Sequence, residues 1–92
     1  MILAFKCVDT QALFTTGKSR RFANIKIAAE RKLTQLHVAV SLESLKAPPG
    51  NRLEALIGNR QGQHSIRVND QWRMFFVWTD EGVKDVEIVD YH

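Results

Sequence analysis

The stretch QHSIRVNDQWRMFFVWTDEGVKDVEIVDY, residues 63–91, decides the fold that this sequence predicts. Apolar and polar residues alternate over 63–68, and the Asn-Asp pair at 69–70 can form a tight turn, so the two features together predict a β-hairpin. Residues 71–79 are apolar on both faces apart from one Gln and one Arg, which is typical of a central strand. A last strand is predicted over 83–91. The second half of the chain is therefore predicted to be an antiparallel sheet.

The first half of the sequence favours helices. A short helix is predicted, capped by Asp9 or Thr10 and ended by Gly17. A longer helix is predicted to begin at Ser19 or Asn24, because the apolar residues that follow recur at spacings of three and four positions and so form one stripe. The stripe consists of Phe22, Ile25, Ala29, Leu33, Leu36 and Val40.

The sequence Ala-Pro-Pro-Gly-Asn, residues 47–51, separates the helices from the sheet, because two prolines and a glycine cannot continue a helix. Two further strands are predicted over 2–6 and 52–57, the second with Leu53, Ala55 and Ile57 on one face. The fold class is α+β, with two N-terminal helices packed on a mostly antiparallel sheet of about four to five strands. We expect a single domain spanning residues 1–92.

The composition is that of an ordinary globular domain, with 45% hydrophobic and 25% charged residues. No apolar run approaches the roughly 20 residues that span a bilayer. Lys6 and Asp9 interrupt the apolar N-terminal residues, so this stretch is too short to be the apolar region of a signal peptide. The single cysteine, Cys7, cannot form an internal disulfide. We therefore expect a cytoplasmic protein with no membrane partner.

Positive charge is concentrated in the body of the chain. Residues 1–79 carry 12 Lys or Arg against 5 Asp or Glu, a net of +7, whereas residues 80–92 carry a net of −4. A basic body attracts a polyanion or an acidic partner. Arg52, Arg60 and Arg67 lie on the strands and turn beside the central strand, where they can form a cationic floor for an RNA backbone. The plain alternative for each of the three is a solvated surface residue.

Arg73 is the only charged residue inside the most apolar strand. A guanidinium there must reach water, pair with a carboxylate such as Glu54 or Asp90, or receive the phosphate of a ligand. On a regular pleat its side chain points away from Trp72 and lies on the side of Phe75. The residue is therefore a candidate both for a structural ion pair and for phosphate chemistry.

Three proton-handling residues, Asp90, Tyr91 and His92, follow the last strand directly. On a strand Asp90 and His92 share a face, so the carboxylate can orient the imidazole. An unperturbed histidine titrates near about pH 6.5 and can both give and take protons. The plain alternative is a frayed, solvated terminus. His64 is a further candidate for acid–base chemistry. The plain alternative is a half-buried histidine, because His64 lies on the same face of its strand as Ile66.

Motifs for metals and common cofactors are missing from the sequence. It has no CxxC, no HExxH, no P-loop and no GxGxxG after a strand. The three histidines and Cys7 have no spacing typical of metal ligands. The sequence therefore predicts no metal site and no cofactor.

Two segments together resemble a known family. They are Gly58–Arg73, with the sequence GNRQGQHSIRVNDQWR, and the ending Val89–His92, with the sequence VDYH. With these segments in this order, the chain resembles over essentially its whole length the HigB branch of the RelE/ParE toxin superfamily. This branch is the plasmid maintenance killer family of bacterial toxin–antitoxin pairs.

The resemblance implies a RelE-like fold of the microbial-ribonuclease type and the function of a type II toxin. Such a toxin enters the 70S ribosome, cuts messenger RNA without a metal ion and inhibits translation. The resemblance also implies a HigA-type helix-turn-helix antitoxin, through which the toxin would reach operator DNA indirectly. The catalytic roles of the family carry over to Arg73, Asp90, Tyr91 and His92, because these positions match.

Two positions depart from the family pattern, since some members have a His and a Lys where this chain has Glu54 and Ile57. The departure predicts weak cleavage unless Glu54 acts as the base. Two alternatives to cleavage stay open: a toxin of the same fold that acts only by binding gyrase or the ribosome, and a non-toxic RNA- or protein-binding module. The proton-handling ending favours the nuclease, because a pure binder does not need it.

Overall fold

Within residues 1–91, two α-helices, α1 (Val8–Thr16) and α2 (Lys26–Val38), precede an antiparallel sheet of four strands in the order β1-β2-β3-β4. This computed structural model describes residues 1–91. The strands are β1 (Glu54–Ala55), β2 (His64–Arg67), β3 (Trp72–Trp78) and β4 (Val83–Asp90). Short 3-10 helices lie at Ala23–Ile25, Glu43–Lys46, Pro49–Asn51 and Gly58–Arg60. The predicted α+β class, with two helices before a mostly antiparallel sheet, is confirmed.

The N-terminal segment runs parallel to β4 along the edge of the sheet. It forms two bridges, Ile2 to Val83 and Phe5 to Val86, and the Leu3 N–H donates to the Val83 carbonyl at 2.7 Å. The strand expected over residues 2–6 is reduced to these bridges. The contact still matters for the site, because it brings the start of the chain beside the strand that ends it.

Helix α1 begins two or three residues earlier than its predicted caps require. It starts at Val8, and no side chain caps it, so the prediction that Asp9 or Thr10 is the cap is wrong. The Thr10 hydroxyl instead accepts a hydrogen bond from the Ile88 N–H at 3.1 Å and ties α1 to β4. Gly17 ends the helix as predicted, in the left-handed conformation with φ of 71°.

Helix α2 is shorter at both ends than predicted. The chain passes through the 3-10 helix Ala23–Ile25 before α2 begins, so neither Ser19 nor Asn24 caps it. The helix ends at Val38 because Ala39 is extended, with ψ of 128°. Val40 is consequently 92% exposed, and its predicted place in the apolar stripe is wrong.

The core lies between the two helices and one face of the sheet. Trp72 and Trp78 are half-buried against it, and the Phe22 ring meets the Trp72 ring edge-on at 5.5 Å. The alternation over residues 63–68 places Ile66 in this core, as the sequence predicted. The fully buried members include Leu13, Phe22, Ala29, Leu33, Leu36, Ile66, Met74, Phe76, Val83, Val86 and Ile88.

The strand predicted over residues 52–57 is reduced to the two residues of β1. Arg52 takes the left-handed conformation, with φ of 45°, and turns the chain immediately before the strand. Ile57 is 87% exposed, so the predicted face shared by Leu53, Ala55 and Ile57 is wrong. The sheet is therefore narrow at this edge, and the loop before β1 approaches β2 directly.

Asn51 fixes that loop to α2. Its side chain is fully buried, and its amide nitrogen donates to the Leu45 carbonyl at 3.1 Å and to the Gln35 side-chain oxygen at 3.1 Å. Its side-chain oxygen accepts a hydrogen bond from Lys32 Nζ at 2.5 Å. Because a buried amide is costly when its partners are lost, Asn51 determines where the loop residue Arg52 sits.

We expect Asn51→Ala to lower the free energy of unfolding by about 2 kcal/mol, since it removes several hydrogen bonds and leaves a buried carbonyl without its donor. Asn59→Ala is the matched control. Asn59 is exposed and makes no side-chain hydrogen bond within residues 1–91, so a change below about 0.5 kcal/mol is expected. Urea unfolding followed by circular dichroism measures both. Equal destabilisation by the two variants would show that Asn51 does not anchor the loop.

Candidate functional site

The sheet face turned away from α1 and α2, here called the open face, carries a polar and cationic surface. Register places Ser65 opposite Phe75, and Phe75 opposite Glu87. Arg67 lies opposite Arg73 in the same way. Because directly paired residues of an antiparallel sheet point to one side, these five side chains share the open face. The apolar residues between them pack on the helices instead.

Arg73 is anchored rather than solvated, with only 9% of its surface exposed. Its Nε donates to the Ser65 hydroxyl at 2.9 Å, and its Nη2 donates to the Arg52 carbonyl at 2.7 Å. The Glu54 carboxylate lies 3.9 Å from the same Nη2. Among residues 1–91, none accepts a hydrogen bond from Nη1. The guanidinium is thus fixed in orientation while one of its two terminal amino groups keeps its donors for a ligand.

A second group of side chains surrounds Phe75 on the open face. The Arg60 guanidinium lies over the Phe75 ring at 4.3 Å from its centroid, and the Tyr91 ring meets Phe75 edge-on at 5.5 Å. Glu87 holds Arg60 at 3.5 Å and Lys6 at 3.8 Å. Its carboxylate is only 13% exposed. These contacts hold Arg60 and Tyr91 against Phe75, which is two positions along β3 from Arg73 and on the same face.

Gln71 holds the end of β4. Its carbonyl accepts the Tyr91 N–H at 2.8 Å, and its side-chain amide donates to the Asp90 carboxylate at 2.9 Å. Asp90 is registered opposite Trp72, so it stands on the opposite side of the pleat from Arg73 at the end of the sheet. Tyr91 reaches the open face. His92, the fourth predicted catalytic residue, lies outside the described residues.

The three predicted RNA-binding arginines take different positions. Arg60 lies on the open face over Phe75, as described above. Arg67 is registered opposite Arg73 and pairs with Asp70 across the β2–β3 turn. The Arg52 side chain is exposed, and its defined contribution to the site is the carbonyl that accepts from Arg73. The structure thus brings Arg60, Arg67 and Arg73 to one face.

The two predicted acid–base residues, Glu54 and His64, are separated by the sheet. Glu54 is exposed at the edge of the open face beside Arg73. The His64 ring stacks on Phe76 at 6.2 Å, on the helix-covered side, and its Nδ1 is buried with no hydrogen-bond partner among residues 1–91. Glu54 can therefore reach a ligand that contacts Arg73, whereas His64 faces the opposite side.

Metal-binding clusters are not found within residues 1–91, where no group of three or more His, Cys, Asp or Glu side chains converges on a common point. In the same part of the chain no helix has the length and apolar character to cross a bilayer.

The comparison with protein families decides the identity. The model of the HigB-like toxins, described as the RelE-like toxin of the type II toxin-antitoxin system HigB, matches residues 5–92. The chain belongs to the HigB-like toxin family. It is 42% identical over 82 residues to Toxin HigB-1 of Vibrio cholerae serotype O1, across 87% of this chain and 86% of that protein. An uncharacterized protein of Haemophilus influenzae is 30% identical over 64 residues, which cover 70% of this chain and 63% of that one.

Solved structures support the fold of this HigB-like toxin. The toxin–antitoxin complex YoeB-YefM of Staphylococcus aureus, a heterotetramer, contains a chain that matches with a TM-score of 0.58 at 18% identity. The match covers 100% of this chain and 98% of that one, and a second structure of the same complex matches equally well. The predicted RelE-like fold and the predicted membership of the HigB-type toxins are confirmed.

Sequence reasoning missed several residues of the open face of this HigB-like toxin. Ser65 and Phe75 could have been found from strand parity, because both share a face with Arg73. Glu87 could have been found in the same way, from its place on the last strand. Lys6 could not, because its contact with Glu87 depends on the parallel pairing of the N-terminal segment with β4.

A cationic cluster borders the open face near the loop that Asn51 anchors. Burial lowers the pKa of Lys32 below its ordinary value, and the charges of Arg31 and Arg67 lower it further. The pKa of Lys32 is thus lower in the folded protein than in the unfolded chain. At pH values between these two pKa values, the unfolded chain binds more protons than the folded protein. Folding therefore gains stability as the pH rises through this window, and a bound polyanion would oppose the shift.

We expect Arg67→Gln to raise the pKa of Lys32 towards its ordinary value, since it removes one of the two repelling charges. NMR titration of the Lys32 side chain measures this value directly. Arg20→Gln, an exposed site in the α1–α2 connection, is the control and should leave the Lys32 pKa unchanged. An unchanged Lys32 pKa in Arg67→Gln would mean that the two cations do not share one surface.

Proposed function

We propose that this HigB-like toxin is a metal-independent endoribonuclease that cuts messenger RNA on the ribosome, with the open face as its active site. The observation that carries the proposal is the anchored Arg73 guanidinium. Its Nη1 donors have no acceptor among residues 1–91, and the Glu54 carboxylate stands beside it. A fixed bidentate donor next to a carboxylate suits a phosphodiester whose charge increases during reaction.

RNA supplies its own nucleophile, so the protein needs only to move protons and stabilise charge. The ribose 2′-oxygen attacks the adjacent phosphorus as its proton leaves to a base. The bond from phosphorus to the 5′-oxygen of the next nucleotide then breaks, and an acid protonates that oxygen. Arg73 is placed to stabilise the negative charge on the phosphorane oxygens between these steps, because hydrogen bonds to a developing charge strengthen in the transition state.

Several groups are available for the two proton transfers. Glu54 lies beside Arg73 on the open face and suits the base, which compensates for the histidine that some family members have there. Tyr91 on the open face, with Asp90 and His92 next to it in sequence, supplies the candidates for the acid. Each well-placed acid or base contributes about 10²- to 10⁴-fold. The placement of His64 on the helix-covered side, away from Arg73, argues against a direct role for it.

The ribosome supplies what the open face lacks. One arginine and an exposed carboxylate form an incomplete site for free RNA, since Ile57 replaces the lysine of some relatives and points into solvent. Orientation of the scissile linkage by a second macromolecule can contribute up to about 7–11 kcal/mol. The cations Arg60 and Arg67 suit the RNA backbone on either side of the cut. Translating ribosomes and mRNA as partners place the activity in the cytoplasm.

A helix-turn-helix antitoxin completes the proposed system. The solved structures that share the fold are complexes of a toxin with its antitoxin, and the matched family is that of type II systems. We propose that such an antitoxin neutralises this toxin and alone provides its link to operator DNA. A neighbouring reading frame encoding a small helix-turn-helix protein would support this partner.

We expect Arg73→Lys to reduce mRNA cleavage in a reconstituted translation reaction by about 10²- to 10³-fold, because lysine keeps the charge but loses the planar pair of donors. Primer extension on ribosome-bound mRNA measures the cut. Arg20→Lys, far from the open face, is the control and should cleave like the wild type. Circular dichroism and thermal melting of Arg73→Lys separate lost chemistry from lost folding.

Three results would contradict the proposal. Cleavage by folded Arg73→Lys at the wild-type rate would exclude Arg73 from the chemistry. Translation arrest by the wild type with intact transcripts would favour a toxin that acts by binding alone. Equal rates on naked and ribosome-bound mRNA would contradict the role of the ribosome.

A further inference from the structure

A polar cavity lies on the open face at the opposite end of β3 from the ending of the chain. Its volume is about 450 Å³, within the range of roughly 300–1,000 Å³ typical of small-molecule sites. Val77 forms part of its floor, and Val77 is four positions from Arg73 on the same side of β3. At about 3.3 Å per residue, Val77 and Arg73 lie roughly 13 Å apart along β3. The cavity is therefore close to the proposed site of cleavage but separate from it.

The cavity is lined by three side-chain amides, two of which have no hydrogen-bond partner among residues 1–91. Asn59, Gln61 and Gln63 line it, and the amides of Asn59 and Gln61 make no side-chain hydrogen bond within residues 1–91. Gly58, before Asn59, and Gly62, between Gln61 and Gln63, have φ of 68° and 94°, and this turn places the three polar residues at the cavity. Amide side chains carry donor and acceptor groups in one plane, which is the pattern that reads the edge of a nucleobase.

Asp85 adds a carboxylate to this cavity by way of a β-bulge. The register between β3 and β4 shifts by one residue between Phe75 and Val77, so β4 has one extra residue there. Asp85 lies in that segment and takes the left-handed conformation with φ of 52°, which is uncommon for a residue other than glycine. Bulges re-aim side chains and are frequent beside active sites, and backbone outliers persist where the structure holds them.

Two cations border the cavity where an RNA chain would enter. The Arg60 guanidinium lines the cavity and lies over the Phe75 ring, and its Nη1 also donates to the Gln63 side-chain oxygen at 3.3 Å. Lys6 also lines the cavity and pairs with Glu87 at 3.8 Å. A guanidinium plane can stack on an unpaired base, and both cations can contact the adjacent phosphates. The arrangement separates contacts to the backbone from contacts to the base.

We propose that this cavity, lined by Asn59, Gln61, Gln63 and Asp85, binds one base of the RNA near the cut and selects bases with an exocyclic amino group. This inference rests on the proposed nuclease function. The Asp85 carboxylate only accepts hydrogen bonds, so it suits the amino groups of adenine, cytosine and guanine. Uracil has a single N–H between two carbonyl oxygens, which the carboxylate repels. The toxin therefore disfavours uracil at one fixed position relative to the cleaved linkage.

The test is the sequence preference of cleavage. Ribosome-bound mRNAs with all four bases at each position around the cut are cleaved by the wild type and by Asp85→Asn, and the 3′ ends are sequenced. Asparagine tolerates the left-handed backbone at position 85 as aspartate does, but its amide can donate to the uracil oxygens. We expect the discrimination against uracil at one position to fall by at least about fivefold in Asp85→Asn. Asp80→Asn, an exposed carboxylate in the β3–β4 turn, is the control and should keep it.

The possible failures are distinguishable. A wild type that cuts mRNA without disfavouring uracil at any position overturns the base-binding site and leaves the nuclease intact. The same holds if Asp85→Asn and the wild type show the same preferences. A wild type that cuts no mRNA overturns the proposed function, and the base-binding site with it.

Discussion

The guanidinium of Arg73, held inside the sheet, is the constraint on which the open face depends. A charged group with so little exposure is costly unless its donors are satisfied, and the Ser65 hydroxyl and the Arg52 carbonyl satisfy those of Nε and Nη2. The second of these acceptors belongs to a loop, which must be held in place. Asn51, the residue before Arg52, holds it through hydrogen bonds to α2 and the preceding turn. The orientation of Arg73 is thus supported from both layers of the fold.

One face of the sheet packs on the helices and stabilises the fold, whereas the other face carries the residues of the candidate site. Met74, Phe76 and Ile88 pack against α1 and α2 and supply the buried apolar surface. The residues between them, among them Arg73 and Phe75, face away from the helices. Phe75 is fully buried although it is outside the main core, because Arg60 and Tyr91 cover it. The open face can therefore carry several charges without weakening the core.

The alternation and runs of apolar residues in the sequence correctly predicted the two middle strands of the sheet. The alternation before Val68 and the apolar run after Gln71 gave β2 and β3, and strand parity gave the side on which Arg73 lies. The strand parity that pairs Asp90 with Trp72 also sets Asp90 apart from Arg73. The sequence could not reveal the left-handed turn at Arg52, which shortens β1, because that turn depends on Asn51 and its distant partners.

Contacts between remote parts of the chain account for the other differences. The Thr10 hydroxyl is used by Ile88 rather than by its own helix, so a capping rule based on neighbours fails there. Lys6 joins Glu87 only because the first residues pair with the last strand. The bulge that re-aims Asp85 has no local signal, since Asp is also common in ordinary turns. The site is thus partly encoded in strand parity and partly in tertiary packing.

The most direct measurement is a structure of the toxin on a ribosome whose mRNA carries a 2′-O-methyl group that blocks the nucleophile. The scissile phosphate is expected on the open face, within hydrogen-bond distance of Arg73 Nη1, with Glu54 near the blocked 2′-oxygen. A phosphate bound at the helix-covered side, or one with no contact to Arg73, would contradict the role given to this guanidinium.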